Sequence, residues 1–107
     1  FWSAVEEYYE NAWRLPPKKS RLTHGVGIIS MGYIMDAIAF KFNQDWDVVP
    51  KKVFLDELNF IGKDIPWTNN YWKFGTDMIF PWNEIQNNHK HINLVTNFLI
   101  RKYKLAK

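Results

Sequence analysis

Apolar residues recur at helical spacing from the first position of the chain. Phe1, Val5, Tyr8, Tyr9, Ala12 and Trp13 share one side of a cylinder while Glu6, Glu7 and Glu10 take the other, which predicts a helix over residues 2–14. Pro16 and Pro17 end it, because proline lacks the amide donor and the residue before it avoids the α region. The pattern then changes character. Residues 18–42, KKSRLTHGVGIISMGYIMDAIAFKF, open on bases and carry a single acid, Asp36, between Arg21 and Lys41. Val26, Ile28, Ile29, Met31, Ile34, Met35, Ala37, Ile38 and Phe40 nearly encircle the helix expected from residue 22 or 24 to 42, with Ser20 or Thr23 as its N-cap. A helix apolar all round is expected to be buried on several sides, at the centre of the fold.

Three glycines interrupt that helix, each at a cost of roughly 1 kcal/mol relative to alanine. Gly25 and Gly32 lie two turns apart on one face, which predicts close approach by neighbouring helices there. Residues 43–49 read as a loop. Pro50 suits the first turn of a helix over 50–61 with Val53, Phe54, Leu58 and Ile61 inward, closed by Gly62. Residues 63–83 hold two prolines, the turn-forming pair Asn69–Asn70 and a run of aromatics. They read either as a short hairpin over 71–80 or as an irregular loop anchored by its rings. Ile92, Val95, Phe98, Leu99 and Tyr103 define the last helix, with Asn87 or Asn88 as cap and bases in its final turns. The expected fold is a single, mostly α domain spanning residues 1–107. It has four main helices around the central glycine-containing one and an aromatic-rich insert before the last.

Composition narrows the function classes. At 47% hydrophobic and 18% aromatic over 107 residues, the chain is a folded domain, its core built largely from rings. It has no cysteine, which excludes disulfides and thiolate metal sites. The net charge of +3 falls short of the dense basic stripe of a dedicated nucleic-acid binder. The bases are nonetheless clustered, as Arg14, Lys18, Lys19 and Arg21, and again as Arg101, Lys102, Lys104 and Lys107. The apolar stretch before Asp36 is shorter than the ~20 residues of a bilayer span, so no membrane partner is expected. The start at Phe1, with no secretory signal pattern, suggests a piece of a longer protein whose remainder is a partner.

Candidate chemistry is sparse. Gly25-Val-Gly27 followed by Gly32 has neither dinucleotide-loop nor phosphate-loop spacing. Arg14, Lys18, Lys19, Arg21 and His24 precede a helix N-terminus, where free amides and the dipole favour anions, so a phosphate of DNA or RNA is their candidate ligand. His24 and Asp36 lie about 120° and roughly 18 Å apart on one helix and form no pair; Asp36 is expected to pair with Lys41 or Arg101. His89 and His91 point about 200° apart on a helix and have no helping cysteine, so no metal and no cofactor is expected. Ser3, Ser20 and Ser30 have no placed base. Trp67, Tyr71, Trp72, Phe74, Phe80 and Trp82 could stack on single-stranded bases, or staple the insert to the core.

Three stretches carry a resemblance. Residues 12–36 (AWRLPPKKSRLTHGVGIISMGYIMD), 73–88 (KFGTDMIFPWNEIQNN) and 91–103 (HINLVTNFLIRKY) look like the C-terminal region of DGQHR-domain (DndB-like) bacterial proteins. The name-giving Asp-Gly-Gln-His-Arg motif is absent, so the resemblance implies the part downstream of it and carries over no catalytic residue. It implies a cytoplasmic protein linked to DNA modification, mobile elements or phage defence. It singles out Ser20, Arg21, His24, Gly25, Gly27, Gly32 and Asp36, and a polar set of Trp82, Asn83, Glu84, Gln86 and Asn87. The expectation is a non-catalytic accessory or interaction domain that supports nucleic-acid or partner binding. The alternative is the C-terminal part of a nucleic-acid-processing enzyme with its catalytic centre upstream. Convergence of His24, Asn83 and Glu84 on one polar cleft would mark that alternative.

Overall fold

The structure is a computed structural model that describes residues 1–105; Lys107 of the second basic cluster lies outside the described residues. The first helical stretch divides into α1 (Trp2–Tyr8) and α2 (Glu10–Trp13). The break falls at Tyr9, at φ −113° and ψ 47°. Its side chain is anchored elsewhere: the hydroxyl donates to the Gly62 carbonyl at 2.8 Å and the ring meets Trp67 edge-on. After the prolines, the Pro16 carbonyl accepts from Lys19 and Ser20 amides and turns the chain. Helix α3 then spans Gly25–Lys41.

The cap of α3 is neither Ser20 nor Thr23. His24 holds the cap position, and its Nδ1 accepts from the Val26 amide at 3.4 Å. The Ser20 hydroxyl is turned to the Leu22 amide, and the Thr23 hydroxyl donates back to Leu15. Both are committed to folding the lead-in segment over the helix start.

Helix α4 (Lys51–Ile61) follows a 3-10 turn at Trp46–Val48. Gly62 ends it at φ 89°, a left-handed backbone that favours glycine. The insert contains the hairpin, β1 (Tyr71–Gly75) against antiparallel β2 (Met78–Pro81), with Trp72 opposite Phe80 and a bulge between Lys73 and Gly75. A second 3-10 turn, Trp82–Glu84, leads to α5 (His89–Leu105). Asn88 caps α5, its side-chain oxygen accepting from the His91 amide at 2.9 Å.

Helix α5 packs against α3, α4 and β1, while α1 lies on α4. Buried Ser30 and Thr96 join hydroxyls at 3.0 Å across the α3–α5 seam. Buried Glu57 of α4 takes the Lys41 ammonium at 2.6 Å and the Tyr103 hydroxyl, which ties the end of α3 to α4 and α5. Lys41 is therefore spent on Glu57, and Asp36 stands exposed, not paired as expected with Lys41 or Arg101. The insert is stapled by rings. Trp67 and Trp72 are fully buried 5.3 Å apart, and Trp72 continues to Phe98 of α5 and to Phe74. Their indole N–H groups find no acceptor among the described residues.

The glycines of α3 behave differently from expectation. A Cβ on Gly27 would lie 2.0 Å from the Arg21 carbonyl oxygen and 2.7 Å from Leu22 Cα. The close approach of backbone thus falls at Gly27 and not at the expected Gly25 and Gly32, and the lead-in segment makes it, not a neighbouring helix. Gly25 faces the Asn87 side chain, and Gly32 has nothing within 4 Å of its Cβ position.

Candidate functional site

Arg21 is the hinge pin of the basic and polar candidate sets. It is buried, and its guanidinium donates to the Pro17 carbonyl at 2.8 Å and the Asn83 carbonyl at 2.5 Å. Its own amide donates to the Trp67 carbonyl at 2.7 Å, and its guanidinium carbon lies 5.5 Å from the centre of the Trp82 ring. Burial pushes its pKa down. One residue thus clasps three segments, the α2–α3 lead-in and the Trp82–Glu84 turn by its guanidinium and the Trp67 segment by its amide. Asn87 completes the junction by packing on Gly25. The two sets meet, through backbone carbonyls and packing.

The remaining candidates lie around this clasp. Arg14 is exposed and pairs with Glu10 one turn earlier. His24 is half-buried, its Nδ1 spent on the helix cap, with burial and then the Arg21 charge lowering its pKa. Lys18 and Lys19 stand exposed in the turn. The side chains of Asn83, Glu84, Gln86 and Asn87 are exposed. The Gln86 amide donates to His91 Nδ1 at 2.7 Å. His91, in the first turn of α5 beside Phe80, therefore spends one ring nitrogen on the loop that precedes its helix, and burial followed by the Lys90 charge lowers its pKa. Among the described residues, no three His, Asp or Glu side chains gather as a metal would require. The clefts of about 300 and 410 Å³ are lined by Glu7, Tyr8, Lys63 and their neighbours, and by Tyr71, Lys73, Lys102 and theirs. Neither includes His24, Asn83 or Glu84, so the polar cleft of the enzyme alternative is not formed there.

The rings of the insert offer little stacking surface. Trp67 and Trp72 are sealed in the core, Phe74, Phe80 and Trp82 are half-buried, and Tyr71 alone of the six is more than half exposed, at 55%.

The surface that the described residues leave unpartnered is on α3. Ile29, Tyr33, Asp36 and Phe40 point outward, with exposures of 40%, 52% and 87% for Ile29, Tyr33 and Phe40. At about 100° per residue these four fall within a stripe some 60° wide. Gly32 and Ala37, half-buried, flank it. Phe42, Trp46 and Val48 extend the apolar area beyond the helix end, Phe40 and Val48 lining one shallow groove. With aromatic side chains of roughly 150–250 Å² each, the exposed parts sum to several hundred Å², the scale of the largest patches that monomers carry.

The expected burial on several sides of α3 is present, and this one face is left open. The signal was present in the sequence. Asp36 shares the stripe with Tyr33 and Phe40 at helical spacing, and a carboxylate with no base on its own helix face marks solvent or a partner. Among the described residues no helix is long and apolar enough to cross a membrane. Compared with family models, curated proteins and solved structures, the chain matches none.

Proposed function

We propose that this chain is a non-catalytic interaction domain that docks a protein through the outward stripe of α3 and the adjoining Trp46–Val48 turn. The unpartnered apolar stripe carries the reading: a ring 87% exposed on an otherwise well-buried helix is held in water at a cost unless something covers it. The internal commitments of Arg21 and His24 support a scaffolding role for the clasp. Of the five residues read as phosphate contacts, Lys18 and Lys19 are the ones that are exposed and make no side-chain ion pair among the described residues, a thin basis for a nucleic-acid site. The runs over residues 12–36 and 73–88 support placing the domain in a DGQHR-domain (DndB-like) protein linked to DNA modification or defence, as an accessory unit.

A photo-crosslinking phenylalanine analogue at position 40 of the full-length protein tests this in the cells that make it. The reading expects a discrete protein adduct, unchanged when Lys18 and Lys19 are replaced by glutamate. Irradiation that yields no adduct, or adducts to nucleic acid alone, would contradict it.

A further inference from the structure

We infer that the occupant of the α3 stripe is a second copy of this chain, packed antiparallel about a two-fold axis between Ile34 and Met35; this rests on the interaction reading above. Two-fold self-association demands a self-complementary face, in which each residue meets its mate at equal distance from the axis. The stripe has that property. With the axis at this point, Ile29 comes level with Phe40 of the second copy, apolar against apolar. Tyr33 comes level with Asp36 of the second copy, so each phenol hydroxyl gains a carboxylate acceptor, twice over by symmetry. Gly32, with nothing within 4 Å of its Cβ position, and Ala37 flank the crossing point, and neither holds the helices apart. Sliding the second copy by about one helical turn, which moves the axis to between Gly32 and Tyr33, sets Ile29 against Asp36 and Phe40 against Gly25. That loses both matches.

The area also fits. Ile29, Tyr33 and Phe40, with Phe42, Trp46 and Val48 at the rim, supply several hundred Å² of apolar surface, against about 800 Å² per partner in an interface of standard size. The arrangement carries one internal strain. The two Asp36 side chains lie only about 4–5 Å apart along the helix direction, at ~1.5 Å of rise per residue. Like charges there oppose association, and the Tyr33 hydroxyls offset part of it.

Sedimentation equilibrium of the full-length protein decides the matter, with a thermal melt to confirm that each variant folds. The expected result is a reversible dimer. Phe40→Glu, at a position already open to water, weakens it by tenfold or more in Kd, on the order seen for a central aromatic anchor. Asp36→Asn tightens it, because the amide keeps an acceptor for Tyr33 and removes the repulsion. A protein that stays monomeric at hundreds of micromolar, or a dimer indifferent to Phe40→Glu or weakened by Asp36→Asn, overturns the inference. The crosslink at position 40 separates the two levels. An adduct of twice the protein's mass supports self-association, and an adduct to a different protein overturns it while the interaction reading stands. No adduct overturns both.

Discussion

Gly27 and Gly32 look alike in the sequence and occupy opposite situations. Gly27 is pressed against the Arg21 and Leu22 backbone, which cannot step aside as a side chain can. Gly27→Ala will therefore destabilise the protein by about 2 kcal/mol or more. Gly32→Ala meets open space and will stabilise the monomer by up to about 1 kcal/mol through helix propensity. Urea titrations of both variants at dilute concentration check the pair. Spacing alone could place glycines on a face but could not tell which one touched backbone, because the lead-in chain that folds over Gly27 has no periodic signature.

His24 and His91 present Nδ1 to a backbone amide, Val26 in one case and Gln86 in the other. A protonated ring cannot accept there, and burial disfavours the charge at both sites, which lowers both pKa values from the ordinary 6.5. The unfolded chain therefore binds protons that the folded one refuses. Stability is full above that ordinary value and declines as the pH falls through it toward the lower folded-state values. Denaturation midpoints will fall between about pH 7.5 and pH 5. His24→Asn, which caps without titrating, will make the decline shallower.

At the scale of elements, periodicity located the helices well and their ends less well. The span of residues 2–14 was helical as read, but the interruption at Tyr9 follows from a hydroxyl bonded to Gly62, 53 positions away, and no local pattern encodes that. The helix over 50–61 with its closing glycine was plain, because proline and glycine act locally. The insert left hairpin and loop open, and burial of Trp72 against Phe98 favours the hairpin. Between the two asparagines offered as caps of α5, Asn88 takes the role and Asn87 packs on Gly25. Asn88→Ala will cost about 1 kcal/mol, read from the thermal midpoint.

The whole molecule is organised around α5, which gathers α3, α4 and the hairpin. That arrangement covers α3 on its inner sides and leaves its outward stripe bare. The basic lead-in to α3 and the polar Trp82–Glu84 turn are joined by Arg21 into a clasp that fixes these loops together. The surface that calls for a partner lies along the helix. The sequence held the polar half of that information in Asp36, but the degree of exposure depends on where α5 and α4 pack, which is a tertiary matter.

Tyr33 and Tyr71 offer an internal comparison, since their side chains are nearly equally exposed in the isolated chain, at 52% and 55%. Hydroxyl-radical footprinting of the full-length protein at its working concentration reads both at once. If the outward stripe of α3 is a binding face, Tyr33 and Phe40 will be protected while Tyr71 is modified freely, and Phe40→Glu will restore modification of Tyr33. Tyr33 modified as fast as Tyr71 in the intact protein would contradict it.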